Sequence, residues 1–74
     1  MKTPEHLKGL LSVIVAVEEA CEGTKYFWVL QRDERGGYFG NIVEEHNYSL
    51  HFHHASTPTE ALMRSLQSFN LRSK

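Results

Sequence analysis

A short, glycine-ended loop between two aromatic segments constrains the fold of this chain most. Residues 25–32 read Lys-Tyr-Phe-Trp-Val-Leu-Gln-Arg, and residues 38–45 read Tyr-Phe-Gly-Asn-Ile-Val-Glu-Glu. Both segments are rich in the aromatic and β-branched residues that favour strands. The five residues between them are polar and end in Gly36 and Gly37, as hairpin loops often do. The sequence therefore predicts an antiparallel hairpin at the centre of the chain.

A third strand follows the hairpin in the sequence pattern. His46 and Asn47 suit a tight turn, and residues 48–55 carry alternating apolar side chains typical of a strand. Gly40, inside the second strand, predicts a bulge or the close approach of another main chain.

Helical patterns flank the three predicted strands. Thr3, Pro4 and Glu5 open the first helix, and Gly23 ends it; its apolar positions are Leu7, Leu10, Leu11, Ile14, Val17 and Cys21. Its middle is apolar on more than one face, so it must be covered on two sides. Thr57, Pro58 and Glu60 form a capping-box start for the second helix. The prediction is α-β-β-β-α in the α+β class: a three-stranded antiparallel sheet packed with two helices, in one domain of residues 1–74.

The pairing register divides the sheet into two faces. We pair Trp28 with Ile42 and Val43 with Leu50, because a one-residue slip would turn every side chain over. We assign one face to the core, under at least the second helix: Phe27, Val29, Phe39, Val43, Leu50 and Phe52. The other face is an aromatic and histidine platform, which either the first helix covers or a partner contacts. Its predicted binding residues are Tyr26, Trp28, Leu30, Tyr38, Ile42, His51 and His53.

Charge and cysteine content narrow the classes of function. The chain has 74 residues, a net charge of −1 and eight scattered basic residues. Nucleic-acid binders usually carry a basic stripe, so this composition favours a protein partner or a second copy of the chain over a nucleic acid. The single cysteine, Cys21, excludes an intramolecular disulfide and fits a reducing compartment. The apolar run at residues 10–17 is too short to span a bilayer. We therefore expect a cytoplasmic protein that does not bind a membrane.

No group of residues predicts catalysis, a metal or a cofactor. His51 and His53 share a strand face, but a closed zinc site needs four ligands. Ser49 lies near His51 in sequence without a nucleophile elbow or an orienting carboxylate. Glu44 and Glu45 point to opposite faces of a strand. We therefore predict a protein that is not an enzyme and binds no cofactor.

Three resemblances bear on function. The α-β-β-β-α order is similar to that of double-stranded RNA-binding domains, although their phosphate-binding lysines have no counterpart here. Gly37-Tyr38 and Thr57-Pro58-Thr59-Glu60-Ala61-Leu62 resemble segments of HicB-type antitoxins. In size, charge and lack of catalytic groups the chain resembles small phage-encoded inhibitors, including anti-CRISPR proteins. This last resemblance implies a non-enzymatic inhibitor of a host or defence complex in the bacterial cytoplasm, and the first two imply an RNA-binding or antitoxin-like regulatory module.

Overall fold

The computed structural model describes residues 7–46 and 52–72. Its elements follow the predicted order, and their bounds are α1 Leu10–Cys21, β1 Tyr26–Arg32, β2 Tyr38–Glu44, β3 His53–Ala55 and α2 Pro58–Arg72. The strands form one antiparallel sheet in the order β1-β2-β3. The predicted α+β class and α-β-β-β-α order are therefore confirmed.

Helix α1 begins later than the sequence predicts. Gly9 precedes its first residue with φ of 74°, a left-handed conformation that interrupts helical geometry. Leu7 and Lys8 therefore lie before the α-helix, and the predicted start at Thr3 lies outside the described residues. The helix ends at Cys21, close to the predicted stop at Gly23, which also has a φ of 74°.

The hairpin loop adopts its predicted place between Arg32 and Tyr38. The Asp33 N–H donates to the Gly37 carbonyl at 3.0 Å and closes the loop. Gly36 and Gly37 have φ of 104° and 87°, values that side chains other than glycine rarely adopt. Both glycines at the loop end are therefore required by the main chain.

The strand register agrees with the prediction wherever the structure describes it. Trp28 pairs with Ile42 as expected. Gly40 pairs with His53, which is the register that a Val43–Leu50 pair would continue. Leu50 itself lies outside the described residues, as do residues 48, 49 and 51 of the predicted third strand. Phe52 is described but precedes β3.

The sequence places the second helix on the wrong face of the sheet, although Val43 of the predicted core face is buried, with 3% of its surface exposed. Ile42, which the sequence placed on the platform, is fully buried against Val17, Cys21 and Phe69 of the two helices. Side chains alternate along a strand, so Phe39 and Val43 point away from the helices. Of the predicted core set, Phe27 and Val29 share that opposite face and Phe52 is 39% exposed. Both helices cover the platform side, whereas the sequence places the second helix on the other face and gives cover by the first helix as one of two alternatives.

Gly40 explains how α2 reaches this side of the sheet. A Cβ on Gly40 would lie 2.9 Å from the Ala61 carbonyl oxygen and 2.9 Å from the Ser65 hydroxyl oxygen. Ala61 and Ser65 are themselves small and completely buried. The glycine thus permits a close approach of another main chain, as predicted, and that main chain belongs to α2.

The two helices lie side by side and run in the same direction. Near their starts, the Thr59 hydroxyl donates to the Lys8 carbonyl at 2.8 Å. Near their ends, Val17 and Cys21 of α1 share a buried cluster with Phe69 of α2. Of the helices in the described ranges, neither is long and apolar enough to cross a membrane.

Thr57 caps α2 as predicted, because its hydroxyl accepts the Glu60 N–H at 3.2 Å. The Glu60 carboxylate pairs with Arg64 at 2.9 Å, an arrangement that the capping-box prediction did not include. We expect Thr57→Ala to lower the free energy of unfolding by about 1 kcal/mol through loss of the cap. Urea unfolding would measure the change. Thr57→Ser keeps the acceptor and is the control; an equal loss in both variants would contradict the role of the cap.

Candidate protein-binding surface

The seven predicted binding residues differ in exposure, because the helices cover some of them more than others. Ile42 has no exposed surface in the folded chain, and Tyr26 packs edge-on against Phe69 with ring centroids 5.0 Å apart. Trp28 also packs against the buried cluster. The other described members of the set are half-buried: Leu30, Tyr38 and His53. His51 lies outside the described residues. A partner can therefore reach part of this set, chiefly where β1 forms the edge of the sheet.

Strand β1 forms one edge of the sheet in the described part of the chain. The Lys25 carbonyl and the Asp33 N–H bond to the β2 side of the hairpin. Main-chain direction alternates along an antiparallel strand, so the N–H and C=O groups of Trp28 and Leu30 point away from β2. No strand in the described ranges pairs with this edge. Such an edge is a template for another extended chain.

One side of α1 flanks this edge. Leu11, Val15, Glu18 and Glu22 are spaced four, three and four residues apart, which aligns them along one side of a helix. Glu18 shows that this side of the helix faces β1, because its carboxylate accepts the indole N–H of Trp28 at 2.5 Å. Leu11 and Val15 remain 76% and 47% exposed. We call these four side chains, of which Glu22 directly follows α1, together with the outer edge of β1 the α1–β1 surface.

A solvent-open groove of about 400 Å³ lies at one end of the α1–β1 surface. It is lined by Glu18, Cys21, Glu22, Tyr26, Phe27 and Trp28. Lys25, next in sequence to the groove, pairs with Glu44 at 2.8 Å instead of with a groove carboxylate. Carboxylates beside aromatic rings favour a basic side chain, through charge-assisted hydrogen bonds and contact with the ring faces.

Cys21 contributes packing at the base of the groove. It is a free thiol, and it is buried with only 8% of its surface exposed. Burial, and secondly the Glu18 carboxylate, raise the pKa of the Cys21 thiol. A thiol with a raised pKa is a weak nucleophile near neutral pH. Cys21 therefore acts in the core, which is the role that the sequence favoured for it.

The described histidines do not form a cluster of metal ligands. His54 contacts the Asp33 carboxylate at 3.4 Å and stacks edge-on with Phe39, next to the hairpin loop. His46 lies at the other end of β2, 4.0 Å from the Glu45 carboxylate. Within residues 7–46 and 52–72 there is no group of three or more histidine, cysteine or acidic side chains that could hold a metal ion.

Compared with known proteins, the chain matches no family model, no curated protein and no solved structure. The resemblances to RNA-binding domains, antitoxins and phage inhibitors therefore stay predictions. The feature of the molecule that bears on function is therefore the geometry of the α1–β1 surface.

The predicted binding residues include the strand side of the α1–β1 surface but none of its helix side. Tyr26, Trp28 and Leu30 were predicted binding residues, whereas Leu11, Val15, Glu18 and Glu22 were not. The available signal was the apolar middle of α1, which exceeded what one covered face can bury. Extending that observation along the helix spacing would have connected Leu11 and Val15 with the two glutamates.

Proposed function

We propose that the chain is a non-enzymatic protein-binding module that uses the α1–β1 surface. The open edge of β1 carries this proposal. Trp28 and Leu30 direct main-chain groups outward, beside the exposed apolar side chains Leu11 and Val15. An extended segment that pairs with such an edge gains main-chain hydrogen bonds, while neighbouring side chains give specificity.

The acidic and aromatic groove supplies the specificity. Glu18 and Glu22 line the groove together with the helix-side residues Tyr26 and Trp28. A partner that places a basic side chain here gains a charge-assisted contact with the exposed Glu18 and Glu22 carboxylates. Inhibition of a bacterial host or defence complex is the form of this function that the likeness to phage inhibitors suggests. An inhibitor of that kind acts by occupying a surface and needs no catalytic group.

A capture experiment tests the function whatever the partner is. The tagged chain is mixed with bacterial lysate and with an untagged copy of itself, with and without nuclease, and bound polypeptides are identified by mass spectrometry. The test variant is Leu11→Lys with Val15→Lys. The control is Met63→Lys with Leu71→Lys, because these α2 side chains are exposed to a similar degree, 57% and 71%.

We expect the original chain and the control to capture a stoichiometric polypeptide that survives nuclease treatment. The test variant should lose it, because two ammonium groups replace apolar contacts beside the β1 edge. Equal capture by the test variant would contradict binding through this surface. Capture that nuclease abolishes would favour the RNA-binding alternative.

A further inference from the structure

We infer that the occupant of the α1–β1 surface is a second copy of this chain, paired antiparallel along β1; this inference rests on the proposed function. The two copies would join their sheets into one sheet of six strands. The reasons are the self-complementary order of groups along β1 and the distribution of charge and apolar side chains beside it.

The main-chain geometry permits a symmetric pairing. A two-fold axis at Val29, perpendicular to the sheet, places Trp28 opposite Leu30 of the second copy. Both residues direct their N–H and C=O groups outward, so they can form a hydrogen-bonded pair. The Tyr26 N–H already donates to the Thr24 hydroxyl at 3.1 Å, but its carbonyl can accept from Arg32 of the second copy. The pairing thus uses the groups that the β1 edge leaves exposed.

The same pairing brings opposite charges together. A helix rises about 1.5 Å per residue and a strand about 3.3 Å. The four residues from Glu18 to Glu22 therefore cover about two strand residues, which places Glu22 level with Tyr26. Arg32 of the second copy lies opposite Tyr26 and points to the same side of the sheet, where α1 lies. Its guanidinium can then reach Glu22, with Glu18 nearby.

Arg32 is free to make this contact. Its side chain is exposed, and no carboxylate in the described ranges pairs with its guanidinium. The glutamates thus lie near one end of β1 and Arg32 lies at the other end. Antiparallel pairing of two copies therefore forms the contact between Glu22 and Arg32 twice. The axis also keeps both α1 helices on one side of the sheet, where Leu11 and Val15 face the second copy.

The first test is the mass in solution by light scattering or sedimentation, up to about 100 µM. We expect twice the chain mass of 8.5 kDa for the original chain. Arg32→Glu and Glu22→Arg, each alone, should weaken self-association at least about tenfold, because each creates two like-charge contacts per dimer. A monomeric original chain would overturn the inference.

An equimolar mixture of the two charge-reversal variants makes the test specific. The mixed dimer has one natural pair and one swapped pair, so association should return. The controls are Arg35→Glu and Glu19→Arg, which change net charge equally at exposed positions away from the proposed contact. The inference would be overturned if Arg32→Glu and Glu22→Arg left self-association unchanged, or if the control variants weakened it equally.

Hydrogen exchange tests the strand pairing itself. The amides of Trp28 and Leu30 should be protected in the dimer and should exchange faster in Arg32→Glu, whereas the Val29 amide, directed at β2, should stay protected in both. Equal exchange at Trp28 and Leu30 in the two proteins would overturn the pairing.

The capture experiment separates failure of this inference from failure of the proposed function. If only the inference fails, the tagged chain will capture a bacterial protein but not the untagged copy, and this capture will depend on Leu11 and Val15. Failure of the proposed function would show as no capture that depends on those residues.

Discussion

Gly40→Ala is expected to lower the free energy of unfolding by about 3 kcal/mol, within the usual range for overpacking a close contact. The new Cβ would lie 2.9 Å from the Ala61 carbonyl oxygen and 3.0 Å from its carbonyl carbon. Both are main-chain atoms of a helix, so they cannot turn aside as a flexible side chain could. Relief therefore requires α2 to move off the sheet. For a domain of this size, thermal unfolding should shift by more than about 10 °C.

The matched control for Gly40→Ala is Gly23→Ala. A Cβ on Gly23 would meet no atom within 4 Å, but the residue has a positive φ of 74°. Its cost, about 1 kcal/mol, is backbone strain alone. Urea and thermal unfolding of both variants would compare the two effects. If Gly40→Ala proved as mild as Gly23→Ala, then α2 would not lie against β2 as described.

Ile42→Ala should be similarly damaging, with a loss of about 2–5 kcal/mol. Ile42 is fully buried among Val17, Cys21 and Phe69, so truncation leaves a cavity between the sheet and both helices. This variant also separates the two interpretations of the platform face. A core residue lowers stability when it is truncated, whereas an exposed binding residue would leave stability almost unchanged.

Leu11→Ala provides the comparison for Ile42→Ala. Leu11 is 76% exposed, and surface substitutions usually change stability by at most about 0.5 kcal/mol. Unfolding should be measured at low protein concentration, so that self-association does not contribute. Equal small losses in both variants would mean that Ile42 lies at a surface and that the observed sheet orientation is wrong.

Much of the architecture could be predicted because local signals act over a few residues. Gly36 and Gly37 require positive φ and therefore fix the hairpin, and Thr57 with Pro58 fixes the start of α2. The Trp28–Ile42 register also followed from side-chain alternation. The start of α1 could not be predicted in this way, because helical spacing of apolar residues does not indicate the left-handed conformation that Gly9 adopts.

The covered face of the sheet was harder to predict, because both faces carry large apolar side chains. The count of Phe and Val favoured the face of Phe39 and Val43. However, α2 can pack closely on the sheet only where no side chain blocks its main chain, and Gly40 provides such a position on the other face. The position of that one glycine was a better guide than total hydrophobicity. The α1–β1 surface combines positions from two distant segments, so its continuity emerged only from the packing of α1 beside β1.

The parallel course of α1 and α2 polarises the molecule. Each helix has a macrodipole with its negative end at the C-terminus, and here both negative ends lie at one end of the fold. That is also the end where Glu18 and Glu22 line the groove. Helix dipoles and carboxylates therefore add to one negative potential, which attracts a basic group before contact occurs. In a symmetric dimer the two-fold axis makes α1 antiparallel to α1 of the second copy, so the dipoles of these two α1 helices would largely cancel.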